Sequence, residues 1–270
     1  MLKRARITGY KSLVDAEITF ADPLTLIIGP NASGKTNLFD ALALLSRMMQ
    51  RGSVQEAFDQ EHRGSYLEAF SFDAAGLAGS MAQPEREMRF EIDVALSPEL
   101  VEAITNDIHL ISSDAEIGEQ SLITESYLRY SIVIQTQERG TGLVITDETL
   151  VALDQEGKPK VSAQIFVDRK QGIPFHLATQ FALEQRLFNK SFDVPLIFMV
   201  APLPVYAHMV ALRAELFRWH LYNLVPQKMQ LFGSYKIVTV LPPDGSDLAS
   251  FFYIVKTNCA QKSSIRSPMN

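Results

Sequence analysis

The sequence predicts an α/β fold, and three observations carry that prediction. A short apolar run rich in β-formers at 24–28 passes without a linker into a glycine-bracketed octapeptide at 29–36, which passes directly into helically spaced apolar residues at 37–49. Strand-like segments dominate 86–169. Helical spacing returns between 175 and 232. With 270 residues, 47% of them hydrophobic, the chain has material for one large domain or two small ones.

The elements follow in order. Residues 2–8 and 14–20 read as an antiparallel hairpin across the turn Gly9, Tyr10, Lys11 and Ser12, because Val14, Ala16, Ile18 and Phe20 alternate with Asp15, Glu17 and Thr19. Asp22 and Pro23 then break the chain, and 24–28 is expected as a buried strand. Leu38, Phe39, Ala41, Leu42 and Leu45 mark the helix after the octapeptide. Residues 1–50 thus form the first of five expected segments, and 51–85, rich in small residues, the second, a loose and partly helical insertion. The third, 86–170, is a β-rich lobe with strands at 88–96, 127–135, 143–153 and 161–167, interrupted by a helix and polar loop at 99–120. In 171–255 a helical segment leads through a β-branched run at 236–241 and the turn 242–245 into an apolar core helix at 248–255. The tail, 256–270, lacks periodicity and is expected to be disordered.

The octapeptide Gly29, Pro30, Asn31, Ala32, Ser33, Gly34, Lys35, Thr36 fits G-x-x-x-x-G-K-[ST], a pattern whose fixed positions each have a physical reason. Gly29 and Gly34 permit turns that a Cβ would block, so that successive N–H groups converge on phosphate oxygens. Lys35 would reach the β and γ phosphates, and Thr36 would place its hydroxyl on Mg²⁺. The helix N-terminus adds partial positive charge. Such a chain is expected to bind a nucleoside triphosphate.

Composition narrows the remaining classes. Lys plus Arg number 25 against 31 Asp plus Glu, a net charge of -6, so no global electrostatic case for nucleic acid exists. Lys3, Arg4, Arg6 and Lys11 form a local basic group, read as a solvated strand edge rather than a DNA contact. A single cysteine, Cys259, excludes an internal disulfide framework and argues against a cysteine zinc site. The histidines at 62, 109, 176, 208 and 220 lack metal-ligand spacing. No apolar signal core begins the chain, and prolines at 195, 202 and 204 interrupt the uncharged stretch 194–212, so no membrane span is expected and a cytoplasmic setting follows.

With these motifs read, the chain resembles the SMC, RecF and OLD-type ATPases, the ABC-class branch of P-loop proteins often labelled AAA-type ATPases. Residues 2–13 look like that family's opening strand and turn, with Gly9, Tyr10 and Leu13 as departures. Residues 29–38 with Asp40, Ala41 and Leu42 are very close to its phosphate loop, including Asn37 after the Thr. Weaker likeness continues at 128–130, 146–150 and 241–249. The resemblance implies a P-loop NTPase fold with an ABC/SMC-head-like mixed sheet, a β-rich lobe and a helical segment. It implies ATP and Mg²⁺ as ligands, held by residues 29–37, and head-to-tail dimers in DNA repair, chromosome maintenance or phage defence. DNA enters as a partner through resemblance only.

The family's ABC motif, Walker B strand, D-loop and switch histidine do not follow residue 255, so the chain reads as the N-terminal portion of a longer ATPase, with hydrolysis in doubt. A complementary half or dimer partner would supply those parts. Residues 143–148 imitate a Walker B strand, which makes Glu148 a weak catalytic candidate; a peripheral strand with exposed acids is the expected alternative. Asp93 and Asp168 are weaker still. Gln55, Gln60, Gln83 and Gln135 compete for the glutamine that such ATPases place near Mg²⁺, and spacing selects none. Two other readings stand beside this one: an inactive remnant, and a self-contained P-loop kinase or GTPase, although 189–192 lacks the Asp of the guanine-recognition sequence.

Overall fold

The structure is a computed structural model in which residues 1–51, 53–59, 66–72, 85–111, 122–137, 142–160, 165–170, 173–177, 193–230 and 238–265 are described. The hairpin expected at the start forms as β1 (Leu2–Tyr10) and β2 (Leu13–Thr19), paired antiparallel with Arg6 opposite Glu17 and Ile7 opposite Ala16. Gly9 at φ +72° makes the turn possible, since a Cβ there would stand 2.2 Å from the Glu87 carbonyl oxygen. Ala16, Ile18 and Phe20 turn toward the core as expected, whereas Val14 on this edge strand is 70% exposed.

Five more strands extend the hairpin: β3 (Glu87–Ala95), β4 (Tyr127–Thr136), β5 (Leu143–Ala152), β6 (Ile165–Lys170) and β7 (Ile173–Leu177). The sheet runs β2-β1-β3-β4-β5-β6-β7, and every pairing is antiparallel. This corrects the expected mixed sheet. Parallel neighbours need crossover connections, and among the described residues each new strand instead pairs with one running the opposite way. The expected strand limits within 86–169 hold to within a few residues, except that 161–164 lies outside the described residues. Phe175 to Leu177, expected in the helical stretch, belong to β7, because an alternating pentapeptide beside β6 satisfies its backbone by extending the sheet.

One face of the sheet carries the core. Ala5, Ile7, Phe90, Ile92, Tyr130, Ile132 and Leu150 point to it and are buried. Helices α1 (Lys35–Arg51), α2 (Val54–Asp59), α3 (Pro98–Ile111) and α5 (Ala207–Phe217) supply the other layer, with α1 packed on β1, α2 and α5, and α3 on α5. The short helix α4 (Leu196–Met199) also packs on α5. Residues 207–212 are buried on every side, which is why this helix lacks an amphipathic pattern. On the opposite face charges replace apolar residues: Arg4 donates to Glu17 and Glu91, Arg6 to Asp15, and Arg129 to both oxygens of Asp93 at 2.6 and 2.7 Å. Lys3 pairs with Asp22. Lys3, Arg4 and Arg6 are therefore neutralised in place, on a strand paired on both sides rather than at the sheet edge the sequence reading expected.

The chain divides into two compact units, Met1–Trp219 and His220–Asn270. In the second, Asn223 N–H donates to the Pro243 carbonyl at 2.8 Å and Val225 N–H to that of Asp244 at 2.9 Å, closing a loop that holds α6 (Pro226–Met229). Helix α7 (Leu248–Ile265) follows. Phe252 and Tyr253 are 60% and 70% exposed on this helix, where the sequence reading expects a core helix at 248–255, and its span takes in 256–265, where that reading expects a disordered tail. The β-branched run at 236–241 carries no helix or strand where it is described, at 238–241. No helix among the described residues is long and apolar enough to cross a membrane.

Candidate phosphate-binding site

The expected strand before the octapeptide is the largest departure. Residues 24–28 belong to no helix or sheet, and none of their backbone groups makes a backbone hydrogen bond among the described residues. Leu24, Leu26 and Ile28 are 78%, 76% and 83% exposed, while Thr25 and Ile27 between them are half-buried. The alternation of a strand is present. Its partners are not among the described residues.

The octapeptide nevertheless forms a tight turn that leads straight into a helix. Ala32 at φ +62° and Gly34 at φ +89° turn the chain, Ser33 N–H donates to the Pro30 carbonyl at 3.4 Å, and α1 begins at Lys35. A Cβ on Gly29 would stand 3.0 Å from the Ser33 hydroxyl, and one on Gly34 would stand 3.2 Å from the Ser12 hydroxyl. Both glycines are thus demanded by close approach, and Gly34 by its backbone angle as well. The first N–H groups of a 17-residue helix have no intrahelical acceptor. They sit beside an exposed loop with the helix dipole behind them.

Lys35 Nζ donates to the carbonyls of Gly29 at 2.8 Å and Pro30 at 2.5 Å and to the Ser33 hydroxyl at 3.2 Å. Its ammonium is held at the loop by groups of the loop itself. Thr36 is exposed beside it. Asn37, which the sequence reading groups with the ligand-holding residues, donates its side-chain amide to Ser12 Oγ at 2.7 Å.

The β1–β2 turn forms one wall of this site, a contact that local sequence reading does not supply. Asp40 accepts hydrogen bonds from the Tyr10 hydroxyl at 2.7 Å and from Lys11 Nζ, and lies 3.6 Å from Arg47. Burial alone would raise the Asp40 carboxyl, but these donors and the two cations outweigh it and hold it below the ordinary range. The same burial, with Asp40 alongside, pushes the Tyr10 hydroxyl far up, so it stays a donor. Asn37, Asp40 and Arg47 recur at intervals of three and seven on one helix face. That spacing is the only sequence signal for the contact.

Glu148 does not join the site. It lies on the core face of β5, opposite Ile132 of β4, with no exposed surface, which overturns the expectation of exposed acids there. Its oxygens accept from the Tyr130 hydroxyl at 3.0 Å and from the N–H groups of Leu196 at 2.7 Å and Ile197 at 3.3 Å, with Arg169 at 3.7 Å. Burial pushes this carboxyl up, against those donors. The sheet order puts β3 and β4 between β5 and β1, about 14 Å at strand spacing. Asp93 is spent on Arg129, and Asp168 lies further out on β6. Of the glutamines, Gln135 donates to Glu87 at 3.0 Å on the sheet and Gln55 is on α2, while 60 and 83 lie outside the described residues. No group of three metal-ligating side chains occurs among the described residues.

Comparison with known proteins finds a family match on this part of the chain and relatives similar to parts of it. Residues 4–64 match the AAA domain family. Over 67 residues, 25% of the chain, it is 36% identical to the DNA replication and repair protein RecF of Phocaeicola vulgatus, covering 18% of that protein. A RecF from Synechococcus sp. is likewise 36% identical over 70 residues, again 18% of its length. The chromosome partition protein Smc of Rhodopirellula baltica is 28% identical over 160 residues, 58% of the chain and 12% of that protein. The chain therefore spans less than a fifth of the length of these relatives. The matched stretch 4–64, which holds the loop, the wall beside it and the first helix, is thus similar to the AAA domain family, and parts of the chain are similar to RecF and Smc proteins.

Proposed function

We propose that this chain binds ATP with Mg²⁺ as the nucleotide-binding portion of an SMC/RecF-like ATPase acting in DNA repair or chromosome maintenance, with phage defence the other setting the resemblance offers. The observation that carries the reading is the tight glycine-bracketed turn at the start of α1, with the Lys35 ammonium held on its carbonyls. The glycine cradle and the free helix N-terminus suit a polyphosphate. Residues 29–36 would hold it, Lys35 exchanging its loop carbonyls for phosphate oxygens, and Thr36 would hold the metal. Mg²⁺ would supply charge neutralisation between the β and γ phosphates.

Phosphoryl transfer also needs a group that orients the attacking water. Asp40, the acid nearest the loop in sequence, is engaged by Tyr10 and Lys11, and Glu148 is sealed in the core. Hydrolysis thus depends on a complementary ATPase half or a head-to-tail partner. The bare, alternating segment 24–28 supports this, since unpaired backbone and exposed leucines are the surface that further strands of a P-loop sheet cover.

Calorimetric titration with MgATP, with phosphate release followed in the same sample and Lys35→Ala as control, tests the reading. Binding that weakens at least tenfold in Lys35→Ala, without turnover, is expected. Equal binding by both proteins, or none by the unmutated chain, removes the nucleotide reading and leaves an inactive remnant. Lys35-dependent turnover removes the need for a complement.

A further inference from the structure

With residues 24–28 unpaired, the phosphate loop lacks the strand that would brace it from one side. Its support comes from the other side, where the β1–β2 turn is fixed at four points. Lys11 N–H donates to the Ala69 carbonyl and Ser71 N–H to that of Gly9, both at 2.8 Å. Tyr10 is fully buried, and its hydroxyl and the Lys11 ammonium both reach Asp40 one turn into α1. Lys11 itself is held at φ +47°, a conformation rare for a lysine and maintained here by those contacts.

At the tip of this fixed turn, Ser12 Oγ accepts the Asn37 amide at 2.7 Å and lies where a side chain on Gly34 would go. Gly34 and Asn37 bracket Lys35 and Thr36. We propose that Ser12 is a positioning residue of the phosphate site: by holding Asn37 it sets the first turn of α1, and with it the direction in which the Lys35 and Thr36 backbone and side chains face. Ser12 touches no ligand in this scheme; it transmits the rigidity of the hairpin to the loop. The inference rests on the reading of 29–36 as a phosphate loop for its effect on ligand binding, but its mechanical part does not.

Ser12→Ala deletes the acceptor without adding bulk, and Ser12→Thr keeps a hydroxyl. In Ser12→Ala, MgATP and pyrophosphate binding should each weaken roughly three- to tenfold, the worth of one hydrogen bond, with Tm within about 2 °C of the unmutated chain. Ser12→Thr should recover most of the loss. Asn37→Ala should lose as much, and Ser12→Ala with Asn37→Ala together no more than either alone. Without nucleotide, the amides of 38–41 should exchange roughly three- to tenfold faster in Ser12→Ala, because the first intrahelical bonds open more often. Unchanged exchange there overturns the proposal whether or not nucleotide binds. Additive losses, or affinity unaffected by Ser12→Ala in a chain that binds MgATP through Lys35, overturn it as well. Faster exchange in a chain that binds no MgATP fails the nucleotide reading alone and leaves the mechanical link standing.

Discussion

Glu148 and His208 are buried ionisable side chains whose partners decide what each does. Glu148 accepts two backbone N–H groups at the start of α4 and the Tyr130 hydroxyl, and its charge faces Arg169, itself buried and donating to the Val194 carbonyl at 3.2 Å. Glu148→Gln would retain one acceptor oxygen but remove the charge that faces the buried guanidinium, and breaking a buried pair typically costs about 3 kcal/mol. Urea denaturation should show that loss, while MgATP affinity, if measured on the folded fraction, stays unchanged. A stability loss below about 1 kcal/mol would mean the pair contributes little. His208, 2% exposed, accepts the Glu125 N–H through Nε2 at 3.1 Å and stacks on Phe166, a setting that needs the neutral ring. Burial pulls its pKa down from 6.5 to about 4. Below pH 6.5 the unfolded chain takes up a proton that the folded one refuses until about pH 4, so stability is level above 6.5 and falls between 6.5 and 4. The fall is at most about 3 kcal/mol. Comparing the pH 7 to pH 5 loss with that of His208→Gln isolates it from other groups; equal losses in the two proteins would show that His208 is not the cause.

Among elements, residues 24–28 and α1 differ although their sequence signals are equally strong. Helix α1 satisfies its own backbone and buries Leu38, Ala41, Leu44, Leu45 and Met48, so its existence follows from local spacing. An extended segment cannot satisfy its backbone alone. In the isolated chain the amides of 24–28 should therefore exchange at nearly unprotected rates while those of Ala5 to Ile7, paired on both sides in β1, are strongly protected. Leu26→Lys should change stability by less than about 0.5 kcal/mol, as its side chain leaves no contact of consequence. Protection at 24–28, or a large cost of Leu26→Lys, would show that this segment is covered in solution.

At the scale of the whole molecule, a seven-stranded antiparallel sheet accepts helices on its apolar face and neutralises charges on the other. Its strands were legible one at a time, from alternation at 88–96, 127–135 and 143–153, and so was the hairpin. The order was not. Nor was the face of β5 that carries Glu148, because an apolar run followed by acids looks alike on an edge or over a core. The exposure of Phe252 and Tyr253 on α7 was not legible either, because hydrophobic content alone does not say which residues are covered.

The sequence by itself determined the glycine-bracketed turn, its helix and the family likeness, since these depend on glycine conformations, one lysine and a helix end within a dozen residues. Only the tertiary structure decided that Asn37 serves Ser12, that Asp40 gathers Tyr10 and Lys11, that Glu148 is sealed away, and that 24–28 stands unpaired. Each of those outcomes depends on backbone and side-chain groups distant in the chain, and their proximity is set by strand pairing and packing rather than by any local pattern.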